Sequence, residues 1–162
     1  MKRIFFAICI FMLTGCAANG PAFSPVKSAE KNSGLLYFYR ENQFRAGGRT
    51  AYFYVNDVNV FDLDRNGYSW ITLPAGTYRL KQKWPVDITT KAIEGDIEVR
   101  AGETQYFSFR VGSCRNPDHW ESGRCFGWEL RKEQEATGMT DIEDKKFQEN
   151  FGLAILKQKL SK

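Results

Sequence analysis

The chain has 162 residues, 23 lysines and arginines against 19 aspartates and glutamates, and a formal net charge of +4. That balance argues against nucleic acid as a partner, and the length suits one domain with a real core. With 13 Phe, 7 Tyr, 4 Trp and 14 Gly, the composition favours short strands and tight turns over helices.

Lys2 and Arg3 precede ten uncharged, mostly apolar residues from Ile4 to Leu13, the layout of a secretory signal peptide and too short to span a bilayer. The following Leu13-Thr14-Gly15-Cys16 resembles the lipobox of bacterial lipoproteins. The resemblance implies that residues 1–15 are removed and that Cys16 becomes the first residue. Its thiol would then carry a diacylglyceryl group and its amine a further acyl chain such as palmitate. Each buried CH₂ contributes about 0.8 kcal/mol, so two or three chains make a firm membrane anchor. Ala17 stands where, in the proteobacterial sorting that this resembles, an aspartate would retain the protein at the inner membrane. The expected location is therefore the outer membrane, lipid-anchored and facing the periplasm, with the inner membrane second. Losing Lys2 and Arg3 leaves the mature chain at +2.

Of the four cysteines, Cys9 leaves with the signal and Cys16 takes lipid. Cys114 and Cys125 remain as a pair with ten residues between them, and in an oxidising compartment they are expected to form a disulfide. In the chain-entropy description such a loop is worth roughly 3 kcal/mol. The alternative, a metal pair, finds only His119 nearby.

Residues 17–33 carry two prolines, small residues and no apolar periodicity, and read as a flexible tether behind the lipidated cysteine. Such a coil spans roughly 20 to 25 Å on average and about 55 to 60 Å when extended. Structure is expected to begin at LLYFYR, from Leu35 to Arg40. Together with TAYFYV, from Thr50 to Val55, it is apolar on both faces and reads as a central strand of a two-layer core. Asn56-Asp57 is a two-residue hairpin signal that tolerates positive φ.

In the run GYSWITLPAGTYRLKQKW, Tyr68, Trp70 and Thr72 alternate with Ser69, Ile71 and Leu73. After Pro74-Ala75-Gly76, Tyr78, Leu80, Gln82 and Trp84 alternate with Arg79, Lys81 and Lys83. The run reads as a β-hairpin with one basic, wet face. Further strands are expected from Ile93 to Arg100, from Glu103 to Val111 and around Trp128, making about seven or eight in a mainly antiparallel β-sandwich, an all-β fold. Thr140 and Glu143 have the form of a capping box, opening a C-terminal helix that runs to Lys159 unless Gly152 breaks it. The expected divisions are residues 1–15, signal peptide; 16–33, lipidated cysteine and tether; 34–132, sandwich; and 133–162, a mostly helical extension.

The lipobox, YFYRENQ, YVNDVNVFDL and the GYSWITLPAGTYRLKQKW run together resemble a family of small proteobacterial lipoproteins. Their shared β-sandwich is catalogued as a domain of unknown function. The resemblance covers roughly Leu35 to Arg131 and rests on strand patterns and the Leu-Pro-Ala-Gly turn, not on catalytic signatures.

No nucleophile elbow or zinc spacing accompanies His119, so it reads as a solvated loop residue. Asp62-x-Asp64-x-Asn66-Gly67 resembles half a calcium loop, but Leu73 stands where the bidentate glutamate belongs, which favours a plain turn. Asp141 and Asp144 fit as partners of a helix dipole. Tyr52, Tyr54 and Trp70 could form a platform for stacking sugars, although aromatic residues in sandwich strands are more often core. Arg79, Lys81 and Lys83 could contact anionic lipid, although such a row is more often a solvated sheet face.

The functional expectation is a non-enzymatic envelope lipoprotein without a cofactor or a metal. Its sandwich would bind another envelope component, a protein, through edge strands or the cysteine loop. Binding of peptidoglycan or polysaccharide is the alternative, and a hydrolase centred on His119 is the third reading.

Overall fold

The computed structural model of the chain describes residues 17–27, 31–43, 48–85, 92–112 and 127–161. Among these are strands β1 (Ser33–Arg40), β2 (Ala51–Val55), β3 (Val58–Leu63), β4 (Gly67–Pro74), β5 (Gly76–Lys83), β6 (Ile93–Val99), β7 (Thr104–Gly112), β8 (Gly127–Glu133) and β9 (Lys146–Phe147). The described residues also include two short helices, α1 (Glu135–Ile142) and α2 (Leu153–Leu160). One sheet has the order β8-β7-β1-β4-β9 and the other β3-β2-β5-β6. Among these strands, β1 with β7 and β4 with β9 run parallel, and the other pairs are antiparallel. This is the all-β sandwich expected from the strand spacing, with a helix at the C-terminus.

Alternation sets the facing of each strand. Phe38, Phe53, Phe61, Ile71, Phe107 and Phe109 meet between the sheets, and the Phe38 ring stacks on Phe107 at a centroid distance of 5.0 Å. Each such side chain contributes about 1.5 to 3 kcal/mol through the apolar area removed from water. The β2–β3 hairpin turns at Asn56 and Asp57, whose φ angles of 47° and 64° suit a turn matching the strand twist.

β1 is buried along its whole length because the five-stranded sheet is covered on both faces. Its outward side chains Leu35, Tyr37 and Tyr39 join Tyr68, Tyr106 and Ile142 in a second cluster. One cover is α1. The other is residues 17–27, and here the flexible-tether reading is corrected. The amide of Val26 donates to Tyr37 Oη at 2.8 Å, and the Phe23 ring meets Tyr37 and Tyr68 edge-on at 5.7 and 5.3 Å. Pro21 accepts from the Phe147 amide at 2.8 Å, and a Cβ on Gly20 would sit 1.9 Å from the Phe147 carbonyl oxygen. An outward face this rich in tyrosine needs a cover, and the small, proline-containing segment is thin enough to provide one.

The expected β4–β5 hairpin is also corrected. β4 pairs with β1 and β5 pairs with β2 and β6, so the two strands lie in different sheets. Ala75 alone separates them, one residue short of a tight hairpin loop, and the chain crosses from layer to layer instead. Tyr78 Oη donates to the Pro74 carbonyl at 2.9 Å and ties this corner down.

The C-terminal helix differs as well. Thr140 lies inside α1, with its hydroxyl donating back to the Ala136 carbonyl at 3.0 Å, and so opens no helix. α1 ends at Ile142, β9 then joins the edge of β4, and α2 starts after Gly152. Asp141 therefore sits at the end of α1, where its carboxylate accepts from Tyr39 Oη at 3.1 Å, instead of meeting a helix N-terminus.

Candidate functional site

The outer face of the four-stranded sheet carries most of the side chains singled out in the sequence. Across β2 and β5, Tyr52 stands opposite Lys83 and Tyr54 opposite Lys81. Lys83 Nζ lies 5.3 Å from the centroid of the Tyr54 ring. β6 then adds an acidic row: Lys81 pairs with Glu94 at 2.6 Å, and Arg79 reaches Glu94 at 3.2 Å and Asp96 at 3.3 Å. The neighbouring carboxylates, Glu94 first, raise the Arg79 guanidinium above its ordinary pKa, while Lys81 and then Arg79 hold Glu94 below its own. Arg79 and Lys81 are thus matched across the strands, which makes this part of the face mixed in charge.

Trp70 is not part of this face. It projects from β4 on the outside of the other sheet, beside Tyr68, and Asn150 Nδ2 donates to its carbonyl at 2.7 Å. The two tyrosines and Trp70 therefore cannot form one stacking platform.

The run from Asp62 to Gly67 joins the end of β3 to the start of β4, and its carboxylates serve the fold. Asp64 accepts from Thr50 Oγ1 at 2.6 Å and from Gln148 Nε2 at 3.0 Å. Asp62 accepts from Asn59 Nδ2 at 3.1 Å, and Asn66 adopts a φ of 62°. Burial pushes the Asp62 carboxyl above the usual carboxylate range, Asn59 works against that, and Asp64 adds to it. Among the described residues no three His, Cys, Asp or Glu side chains gather around a position for a metal ion.

The edges of the sheets differ in how they are covered. α2 packs against β3, where the Gly152 amide donates to the Val60 carbonyl at 3.1 Å and Leu156 enters the core. Residues 17–27 lie against β9 through the bridge between Ala22 and Lys146. β6 and β8 have no further strand beside them among the described residues. Between these two edges lies a cavity of 240 Å³, with Leu80, Ile97 and Phe107 at the core side and Ile93, Leu130, Asp96 and Lys132 completing it. At Gly95 an added Cβ would meet nothing within 4 Å. Gln105, itself buried, donates to the Glu98 carbonyl at 2.9 Å and ties β7 to the far end of β6. Its Oε1 has no partner among the described residues.

The sequence reading missed this seam, and it also missed Arg40. That guanidinium is 2% exposed, donates to the Leu63 carbonyl at 3.0 Å and to the Arg49 carbonyl, and lies 5.5 and 5.4 Å from the ring centroids of Trp84 and Trp128. A charge closing an aromatic run, with Trp84 ending one strand run and Trp128 near the start of another, is the signal that pointed there. Cys16, Cys114, Cys125 and His119 lie outside the described residues.

Two layers, one covered further by a helix and a strap, define the chain as a β-sandwich protein. Over residues 30–123 it matches the family described as a protein of unknown function, DUF2846, and it belongs to that family. No curated protein and no solved structure matches it. The matched stretch stops before β8, so β8, α1, β9 and α2 lie outside it.

Proposed function

We propose that the chain is a proteobacterial outer-membrane lipoprotein, anchored by lipid on Cys16, whose sandwich binds an extended segment of another envelope protein along the seam between β6 and β8. The anchor rests on the signal layout of residues 1–15 and the lipobox. Export to an oxidising compartment also supports the Cys114–Cys125 disulfide. The binding mode rests on one observation: among the described residues the other two strand edges are covered, while β6 and β8 face each other across a cavity with an apolar floor and Asp96 and Lys132 in its wall. Free edge groups offer backbone hydrogen bonds to an added strand, and the cavity can take its alternate side chains. The reaction class is non-covalent binding.

A photo-crosslinking residue in the full-length protein tests this in intact envelopes. Placed at Gly95, where a side chain has open space, it should capture a discrete protein partner, and placed at Arg79 on the sheet face it should not. Capture at Arg79 alone would move the interface to the tyrosine and lysine face. Capture at neither position would reject the binding reading.

A further inference from the structure

We infer that the lipid anchor holds one particular end of the sandwich against the bilayer, because the segment after Cys16 is part of the fold. The inference rests on the lipidation of Cys16 proposed above. Ala17, the next residue, is bridged to Arg65 in the β3–β4 turn, and the Ala18 amide donates to the Arg65 carbonyl at 2.9 Å. Consecutive Cα atoms lie 3.8 Å apart, so a lipid-bearing residue 16 has almost no reach beyond that turn.

The strand directions show which end this is. β1, β3, β5 and β7 all finish at the Arg65 end, at Arg40, Leu63, Lys83 and Gly112. The segment then crosses the outer face of the five-stranded sheet, past Tyr68 and Tyr37, before β1 starts at the opposite end. Asn56-Asp57, Ala75 and Ala101-Gly102 sit at that far end. Strands of eight residues make the sandwich roughly 25 Å tall, so the far turns stand about that distance above the membrane surface. A free tether would present both ends to the lipid equally. The fixed one sets the seam between β6 and β8 upright, with its length pointing away from the bilayer.

The test uses the full-length, lipidated protein in vesicles of phosphatidylethanolamine and phosphatidylglycerol containing a headgroup-attached quencher. A fluorescent amino acid is placed at Asn42, exposed at the anchored end, or at Ala75, exposed at the other. Quenching at Asn42 should exceed that at Ala75 several-fold. In the background of Gly20→Val, where the side chain collides with the Phe147 carbonyl and frees the segment, the two positions should converge. Equal quenching in a protein whose mass confirms lipid on Cys16 would overturn the orientation and leave the anchor intact. A difference that survives Gly20→Val would also overturn it, since the strap would not be its cause. A mass without lipid would reject the anchor reading itself.

Discussion

Phe23 stands edge-on to Tyr37, ring centroids 5.7 Å apart, and so turns a segment that looks like a linker into a layer of the fold. The aromatic geometry is the favourable one, with the positive edge of one ring directed at the face of the other. The same ring meets Tyr68 at 5.3 Å, while the Tyr37 hydroxyl accepts from the Val26 amide.

Phe23→Ala should therefore lower stability by about 2 kcal/mol, from two aromatic pairs and the partly buried area. Urea unfolding of the parent and the variant measures this. Limited proteolysis gives a second reading: cleavage within residues 17–27 should be slow in the parent and fast in the variant.

The corner between β4 and β5 depends on Tyr78, whose hydroxyl reaches the Pro74 carbonyl. Tyr78→Phe keeps the ring in the core and removes only that donor, so a loss of about 1 kcal/mol is expected. If β4 and β5 were paired as a hairpin, the substitution would be silent.

Gly152 brings α2 onto β3 so closely that a Cβ would lie 1.9 Å from the Asn59 carbonyl oxygen. Gly152→Ala should undock the helix and pull Leu156 from the core, costing about 2 to 4 kcal/mol. Amide exchange should speed up across residues 153–160 and along β3, and not in β7.

Asp62 gives the fold a pH dependence of definite sign. Burial raises its folded-state pKa above the unfolded value, so ionisation costs the folded state stability at neutral pH. That cost disappears as the pH falls through the folded pKa towards the ordinary carboxylate range. Asp62→Asn should raise the melting temperature at pH 7, and the gain should shrink on acidification. A variant less stable than the parent at pH 7 would contradict the sign.

Much of this architecture is legible in the residues. The alternation of Tyr78, Leu80 and Trp84 with Arg79, Lys81 and Lys83 states which side of β5 is wet, and the structure agrees. Alternation does not state which strand lies alongside, and so Leu73 to Gly76 reads as a hairpin turn when it is a passage between layers. Residues 17–27 have no periodicity because they are held by backbone amides and one ring, not by an apolar stripe. The break between α1 and α2 follows from the pairing of Lys146 and Phe147 with Gly67 and Tyr68, a long-range contact that local helix propensity overrides on paper. The seam between β6 and β8 is likewise a relation between segments far apart in the chain. Its components, Gly95 and Leu130, look ordinary one at a time.

Both the proposed location and the proposed orientation rest on lipidation of residue 16. Intact mass spectrometry of the protein extracted from membranes of cells expressing the whole chain tests it directly. The predicted species lacks residues 1–15 and carries a diacylglyceryl group and an amide-linked acyl chain on Cys16. A chain that keeps residues 1–15, or one cut elsewhere with an unmodified Cys16, would contradict it.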